Sequence, residues 1–249
     1  MPNGVSAATH ILKLPTPHFA HLVSNEWLVM ELGRRCGLCV PPAQLWPMPV
    51  GREPGLLIER FDRRAGQRLH QEDFCQALSL PPTRKYEQDG GPPLAAIAAC
   101  LNAHSTTPAD DIARLLQWVA FGVVVGNADR HAKNLALLYG EDASIRLAPF
   151  YDLVCTRHWR QLSTRSAMSV GGAVEPGTVT RKHWRALAAA CEVGGTWLED
   201  LVLRVAARVE TEWAALESAS AATLVRGAVQ AVERTLRERV RCVRRGLAA

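Results

Sequence analysis

The segment VVVGNADRHAKNLALL, residues 123–138, places the strongest constraint on how this chain can fold. An apolar, β-branched run ends at Gly126, a dense group of polar side chains follows, and the chain becomes apolar again at Leu135. Two apolar flanks therefore hold a short loop that carries carboxylate, amide, imidazole, guanidinium and ammonium groups. A solvated loop does not need so many different groups, so the pattern indicates a loop that performs chemistry.

Three oxygen-bearing side chains define the candidate chemistry. Asp129 and Asn134 lie five residues apart, and Asp152 follows two apolar runs, LALLYG and IRLAPF, that predict a β-hairpin. The hairpin can return Asp152 to the loop, where carboxylate and amide oxygens are typical Mg²⁺ ligands. A second carboxylate beside the metal can accept the proton of an attacking hydroxyl. The spacing is typical of phosphotransferases of the protein-kinase type, with Asp129 as the base and with Asn134 and Asp152 as Mg²⁺ ligands.

Two cations of the same loop fit this interpretation. Arg130 and Lys133 are expected to lie where the charge of a transferred phosphoryl group develops. A structural alternative stays open, because Asp and Asn are common in loops, where their side chains cap and turn the backbone. In that alternative Asp152 is an ordinary helix cap.

The first sixty residues predict a small α+β unit that supplies a further cation. THILKL, residues 9–14, alternates like a strand, which places Lys13 on the face opposite Leu12 and Leu14. A lysine so placed can reach nucleotide phosphates, and Glu26 on the next helix is its candidate counter-ion. The alternative is an ordinary surface lysine.

The strand LLIERF, residues 56–61, ends this unit where a hinge to the rest of the chain would form. Backbone groups of Glu59, Arg60 and Phe61 could hydrogen-bond an adenine edge there, and the Phe61 ring could pack on the base. The alternative is an ordinary strand end.

Helical periodicity dominates from about residue 71. Ser24 and Thr107 are predicted N-caps, the second with Pro108 at the first helical position. A Pro-rich passage, VPPAQLWPMPV, separates the first helix from the strand, and residues 83–93 form a predicted loop. Helices are predicted at 24–37, 71–79, 94–103, 181–190, 196–215 and 223–245, and from Pro108 to the polar loop.

The bulk composition is that of a folded domain. Of 249 residues, 48% are hydrophobic and 21% are charged, and the net charge is +5, which is weak support for an anionic partner. We predict a cytoplasmic protein, because no apolar run reaches membrane length and no signal pattern opens the chain. Cys36 and Cys39 form a single C-x-x-C, which we interpret as reduced thiols and not as a zinc site, since zinc sites pair such motifs.

A series of motifs now occurs in a recognisable order. The motifs are THILKLP, NE at 25–26, ERFDRR at 59–64, QEDFCQAL, KYEQDGGP at 85–92, GNADRHAKN, LAPFYD and AMSVGG at 167–172. Together they resemble the HipA family of bacterial serine/threonine kinases, the toxins of toxin–antitoxin modules.

The resemblance implies an α+β, two-lobed, protein-kinase-like fold related to phosphoinositide kinases. Residues 1–62 would form a partial N-lobe and residues 63–249 a mainly helical C-lobe. Asp129 would be the proton acceptor, and ATP and Mg²⁺ would be the cofactors. The implied ATP contacts are Lys13, Glu59, Arg60, Phe61, His131, Ala132, Lys133, Asn134, Tyr151 and Asp152, of which Asn134 and Asp152 hold the metal.

The same resemblance implies substrates and partners. Family members phosphorylate translation proteins such as aminoacyl-tRNA synthetases, and a DNA-binding antitoxin, HipB, holds them inactive. A DNA contact of this chain would be indirect. The basic last helix is interpreted as a solvated arginine face, with a DNA or antitoxin contact as the alternative. Its arginines include Arg234, Arg237, Arg239, Arg241, Arg244 and Arg245.

One departure from the family pattern leaves a second function open. Family members carry a Gly-rich phosphate loop with a regulatory serine before the T-H-I-x-K strand, whereas MPNGVSAA offers only Gly4 and Ser6. We therefore expect an N-terminally truncated member in which this loop is absent or vestigial, and residues 153–166 are also short. The alternative function is a catalytically impaired kinase-like binding module, or one subunit of a split kinase.

Overall fold

The computed structural model describes residues 8–50, 52–219 and 226–248. The expectation for Gly4 and Ser6 lies outside these ranges, as do residues 223–225 of the last predicted helix. Within the described ranges, no helix combines the length and apolar character that a membrane crossing requires.

A three-stranded antiparallel sheet and one helix form the first part of the chain. Strand β1 (His10–Lys13) is followed by helix α1 (Leu22–Arg35), and β2 (Ala43–Trp46) and β3 (Gly55–Glu59) complete the sheet in the order β1-β3-β2. The predicted strand at 9–14 is confirmed. Strand β2 was missed, because prolines flank its four residues.

The register of this sheet decides where Lys13 points. Lys13 pairs with Leu56, and Ile11 pairs with Ile58. Leu56 and Ile58 are both buried, so their face of the sheet is the inner one, and paired residues share a face. Lys13 is therefore directed inward.

Helix α1 begins earlier than the sequence predicts. His21, with a φ of 62°, precedes its first residue, Leu22. The prediction that Ser24 is the N-cap was wrong, because Ser24 is buried inside the first turn of the helix.

A second sheet replaces the start of the helix predicted at 71–79. After a short hairpin of β4 (Arg63–Arg64) and β5 (Gln67–Arg68), strand β6 (Gln71–Asp73) leads into a four-residue helix, α2 (Phe74–Ala77). Asp73 caps α2 by accepting from the N–H groups of Cys75 and Gln76 at 2.9 and 3.0 Å. The Gln76 side chain returns to the Asp73 N–H, so the turn is a capping box.

The predicted hairpin that carries Asp152 is confirmed. Strands β7 (Ala136–Tyr139) and β8 (Ile145–Leu147) pair antiparallel, and β6 pairs with β7 on the other side. The hairpin therefore joins the end of the polar loop to the segment that contains Asp152.

Five α-helices build the remainder of the described residues, and α4 is at their centre. Its buried side chains include Trp118 and Phe121, and it packs against α3, α6 and α7. Thr107 is the N-cap residue of α4, as predicted, although its side chain makes no capping hydrogen bond. The helices are α3 (Leu94–His104), α4 (Pro108–Val125), α5 (Arg181–Ala190), α6 (Gly195–Ala219) and α7 (Arg226–Ala248).

Candidate active site

Helix α4 ends at Val125, and the polar loop begins at Gly126. Gly126 takes the left-handed conformation, with a φ of 71°, and a Cβ there would lie 2.8 Å from Cγ2 of Thr235. Glycine fits this αL helix end because it lacks a Cβ. The N–H of Asn127 donates to the Gly122 carbonyl at 2.9 Å, which closes the helix.

Hydrogen bonds hold the loop in one conformation. The Ala128 N–H donates to Oγ1 of Thr156 at 2.8 Å, and the same hydroxyl donates to the Gly126 carbonyl at 3.0 Å. The Asp129 N–H donates to Oδ1 of Asn127 at 3.1 Å. The side chain of Asp129 is left exposed at the turn of an ordered loop.

Arg130 does not take the role that the sequence predicts. Its guanidinium is buried, donating to the carbonyls of Asn127 at 2.8 Å and Val119 at 3.3 Å, and it lies over the Trp118 ring. Burial lowers its pKa to about 10. Arg130 therefore orders the loop from inside and cannot face a phosphoryl group.

Tyr86 binds Asp129 directly, and the sequence analysis did not assign it a role. The Tyr86 hydroxyl donates to Oδ1 of Asp129 at 3.0 Å. Burial raises the pKa of Tyr86, and the charge of Asp129 raises it further. The motif KYEQDGGP contains this tyrosine, but nothing local in the sequence indicates that it reaches a loop 43 residues away.

Lys85, the neighbour of Tyr86, supports the next part of the loop. Its ammonium lies 3.1 Å from Nε2 of His131, and its carbonyl accepts from the Ala132 N–H at 3.2 Å. Burial lowers the pKa of His131, while the charges of Asp129 and Asp152 oppose that change. Both carboxylates therefore lie within electrostatic reach of one imidazole.

Asn134 presents an oxygen that the protein leaves free. It ends a 3₁₀ turn, Ala132–Asn134, and its Oδ1 is buried without a hydrogen-bond partner among the described residues. Burying a polar atom without a partner costs about 1–3 kcal/mol, so an external partner is the expected reason for its position. An amide oxygen is a ligand that hard divalent cations accept.

Lys13 joins the first sheet to the candidate metal site. Its ammonium lies 2.7 Å from Oε1 of Glu26 and also contacts Oδ1 of Asp152. Burial lowers the pKa of Lys13, but the charges of Glu26 and Asp152 outweigh it and the pKa is raised. The predicted counter-ion role of Glu26 is confirmed.

The two carboxylates beside Lys13 differ in their surroundings. The Glu26 side chain is 5% exposed and that of Asp152 is 47% exposed. Burial raises the pKa of Glu26 to about 7, although Lys13 opposes this change. Asp152 adopts the left-handed conformation, with a φ of 52°, which is uncommon for a residue with a side chain.

Tyr151 and Phe61 form one aromatic wall near these groups. Their rings stack with centroids 5.8 Å apart, and the Tyr151 hydroxyl donates to the Lys133 carbonyl at 2.8 Å. The N–H of Phe61 has no partner within the described ranges. The Lys133 ammonium lies 3.8 Å from a carboxylate oxygen of Asp73.

The backbone of Glu59 and Arg60 is less open to a ligand. Their N–H groups donate within the sheet, to the carbonyls of Pro42 and Thr9, at 2.9 Å each. The Arg60 guanidinium binds both carboxylate oxygens of Asp62, at 2.8 and 2.6 Å. Contacts of these two residues with a base would therefore use carbonyl groups.

The described residues hold no cluster of three or more His, Cys, Asp and Glu side chains suited to a metal ion. A cation at this site would depend on the amide of Asn134 and the carboxylate of Asp152, with ligand oxygens for the rest. The arrangement can bind phosphate groups through Lys13 and can accept a proton at Asp129. Those are the two tasks of a phosphotransferase site.

Comparison with known proteins defines the class of the fold. The Shewanella oneidensis HipA structure, solved with HipB and operator DNA, matches 96% of this chain and 58% of its own, with a TM-score of 0.84 and 26% identity. The Helicobacter pylori proinflammatory kinase CtkA matches 94% of this chain and 88% of its own, with a TM-score of 0.66 and 14% identity. The chain therefore has a kinase-like α+β fold.

Sequence comparison defines the family. The HipA-like C-terminal domain profile matches residues 3–213, and the chain belongs to this family. The Sinorhizobium fredii protein Y4mE, a kinase by name, is 39% identical over 78% of this chain and 47% of its own. The serine/threonine-protein kinase toxin HipA of Shewanella oneidensis is 31% identical over 71% of this chain and 43% of its own. The chain spans less than half the length of these two relatives.

Proposed function

We propose that the chain is an ATP-dependent serine/threonine protein kinase of the HipA type. The observation that carries the proposal is the ammonium of Lys13, held between Glu26 and Asp152. A strand lysine that pairs with a helix glutamate beside a carboxylate is the phosphate-binding arrangement of protein kinases. A structural lysine would need only one of these partners.

Each residue has a defined task in this proposal. Lys13 binds nucleotide phosphates, and Phe61 and Tyr151 pack against the base, with backbone groups of Glu59 and Arg60 at its edge. Asn134 and Asp152 would hold Mg²⁺, which supplies charge neutralisation when bound. His131, Ala132 and Lys133 complete the wall of the nucleotide site.

The transfer step uses Asp129 as the proton acceptor. The acceptor hydroxyl gives its proton to the Asp129 carboxylate while its oxygen bonds to the γ-phosphorus of ATP. The bond from that phosphorus to the β–γ bridging oxygen breaks, and ADP leaves. The hydrogen bonds that order the loop hold Asp129 in place for this step.

The boundary between the lobes is also part of the proposal. We propose that residues 1–62 form a partial N-lobe and that residues 63–249 form the C-lobe. The buried carboxylate of Asp62 binds both Arg60 and Arg63 at 2.6 Å, so the two sides of this boundary are joined by ion pairs.

The biological role follows from the relatives. We infer that the chain is a toxin that phosphorylates a translation protein such as an aminoacyl-tRNA synthetase in the cytoplasm. Because the HipA of Shewanella oneidensis is solved with HipB and operator DNA, a HipB-like antitoxin is the proposed partner, and any DNA contact is indirect.

The experiment incubates the purified chain with radiolabelled ATP, Mg²⁺ and bacterial aminoacyl-tRNA synthetases. Label should reach a serine or threonine of one synthetase, and Asp129→Asn and Lys13→Met should each abolish transfer. Asp200→Asn, at an exposed residue of α6, is the matched control. The proposed activity would be refuted if the wild-type chain labelled neither a synthetase nor itself.

One observation favours the second candidate, a kinase-like binding module or split-kinase subunit. Leu12 and Trp46, on the outer face of the first sheet, are 47% and 45% exposed. Exposed apolar side chains gathered on one face are typical of interaction surfaces. A binding module would retain its partner after Asp129→Asn but would lose it after Leu12→Asp, as pull-down of a co-expressed partner would show.

A further inference from the structure

A groove with a volume of about 430 Å³ opens beside Asp129. None of the residues proposed to bind nucleotide or metal lines it, whereas Asp129, the proposed proton acceptor, and its hydrogen-bond partner Tyr86 both do. Asp129 therefore lies between this groove and the proposed nucleotide site. In phosphoryl transfer, donor and acceptor approach the γ-phosphorus from opposite sides, with the base on the acceptor side.

One wall of the groove is apolar and aromatic. Phe19 and Trp159 meet edge to face, with ring centroids 5.6 Å apart. The indole N–H of Trp159 is used, since it donates to the Ala20 carbonyl at 3.1 Å. Leu22 and Leu162, both half-buried, line the same space. A group bound against this wall would bury apolar surface and make few hydrogen bonds.

The groove is fixed to the catalytic loop. The Ala167 N–H donates to the Ala128 carbonyl at 2.8 Å, and the Thr156 hydroxyl binds the loop on both sides of Asn127. Both donor segments also line the groove. The wall and Asp129 are therefore held at a constant separation, which suits a site that must position an acceptor.

The rim of the groove carries one exposed arginine, Arg165. Residues 153–166, which form one wall, contain Arg157, Arg160 and Arg165 and no Asp or Glu. Arg165 lines the groove and is exposed, whereas Arg157 lies 3.7 Å from Glu238. The rim therefore favours an occupant with a carboxylate outside its apolar part.

We propose that this groove binds the acceptor segment of the protein substrate. The segment has a serine or threonine at Asp129, a large apolar side chain beside it in the slot of Phe19, Trp159 and Leu162, and an acidic residue that meets Arg165. The inference rests on the proposed kinase function and adds to it the substrate class. A protein segment fits because one continuous occupant must supply hydroxyl, apolar and acidic groups together.

The test uses nine-residue peptides with a central serine in an alanine–glycine background. A neighbouring position carries Leu, Gly or Lys, and a distal position carries Glu or Lys. Binding is measured by calorimetry with a non-hydrolysable ATP analogue and Mg²⁺, and phosphorylation is measured with labelled ATP. The peptide with Leu should bind about tenfold more tightly than the peptide with Gly, because the slot buries its side chain.

Two variants test the groove: one adds a charge to the apolar slot, and the other reverses the charge at the rim. Leu162→Lys should remove the preference for Leu, and Arg165→Glu should change the distal preference from Glu to Lys. Leu203→Lys and Arg204→Glu, exposed neighbours on α6, are the matched controls and should bind the peptides as the wild type does. Affinity for the ATP analogue, unchanged in all four, shows that each variant is folded.

The possible outcomes distinguish a failure of the groove assignment from a failure of the proposed kinase activity. Selective binding without label transfer would refute the activity and keep the groove assignment. Label transfer without preference for Leu, or a preference that Leu162→Lys leaves intact, would overturn the groove assignment and keep the kinase. Equal binding of all peptides without transfer would overturn both.

Discussion

The Tyr86 hydroxyl donates a 3.0 Å hydrogen bond to Oδ1 of Asp129. This bond joins the loop before α3 to the loop after α4. It holds one oxygen of the proposed base, while the other oxygen makes no hydrogen bond to the part of the chain that the structure describes. It also lies at the groove, which both residues line. The orientation of the carboxylate toward an acceptor hydroxyl therefore depends on a tyrosine outside the polar loop.

We expect Tyr86→Phe to lower kcat about tenfold and to leave the KM for ATP unchanged. The variant removes one hydrogen bond to a charged group and retains the ring. Steady-state phosphorylation kinetics check this result. Tyr139→Phe is the matched control, since that hydroxyl binds Glu72 away from Asp129. Equal losses in both variants would show that Tyr86 does not position the base.

The sequence predicts the loop, the hairpin and the Lys13–Glu26 pair because each depends on local periodicity or on one strand alternation. The roles of Tyr86 and Arg130 could not be predicted from the sequence, for a physical reason. Whether a polar side chain points outward to a ligand or inward to backbone carbonyls depends on the packing of distant segments. Arg130 has the charge of a phosphate ligand, but Trp118 and the carbonyls of Val119 and Asn127 surround it.

The same limit explains the errors in secondary structure. Residues 71–73 have helical periodicity, yet they pair with β7, whose position is set by the hairpin. Strand β2 lies between prolines and gains its partners only from β3. Tertiary pairing overrode local preference in both places.

Glu26 should make stability depend on pH. The folded chain holds the Glu26 proton up to a pH of about 7, whereas an ordinary glutamate loses it near 4.5. Between these values the folded chain binds more protons than the unfolded chain, so the free energy of unfolding falls as pH rises and levels off above 7. The upper bound of the loss is about 3 kcal/mol.

Urea unfolding at pH 5 to 8, without nucleotide or divalent cation, measures this dependence. Glu26→Gln cannot ionise and should show a smaller fall over that range than the wild type. Glu31→Gln, on the same helix, is the control. A hydrogen bond from Arg34 lowers the pKa of Glu31, so that carboxyl titrates below this range. Parallel curves for wild type and Glu26→Gln would contradict the prediction.

Asn134→Ala should separate metal binding from folding. Because the buried Oδ1 has no partner among the described residues, its removal also removes the cost of burying it and should not lower the free energy of unfolding by more than about 1 kcal/mol. The affinity for ATP in the presence of Mg²⁺ should fall tenfold or more, roughly the effect of losing a metal contact. The affinity for ATP without Mg²⁺ should stay unchanged.

Calorimetric titrations with and without Mg²⁺, beside thermal unfolding, give the three values for Asn134→Ala. Asn102→Ala, an exposed change on α3, is the control and should alter none of them. If the Mg²⁺ effect on ATP affinity is the same in wild type and Asn134→Ala, the amide is not a metal ligand.

Gly122 provides the space that Arg130 occupies beside α4. A Cβ at Gly122 would overlap Cδ and Nε of Arg130, a side chain that is 1% exposed. Alanine normally stabilises a helix relative to glycine by about 1 kcal/mol. Here Gly122→Ala should instead destabilise the chain by about 3 kcal/mol, because the displaced guanidinium would stay buried without its carbonyl partners.

Urea unfolding of Gly122→Ala beside Gly194→Ala checks this expectation. A Cβ at Gly194 would meet the Trp197 Cβ at 3.7 Å, an ordinary contact, so that variant should change stability by less than about 0.5 kcal/mol. The double variant Gly122→Ala, Arg130→Ala isolates the cause. Its loss should be smaller than the sum of the single losses, since one overlap underlies Gly122→Ala. Additive losses would show that Gly122 serves the helix itself and not the placement of Arg130.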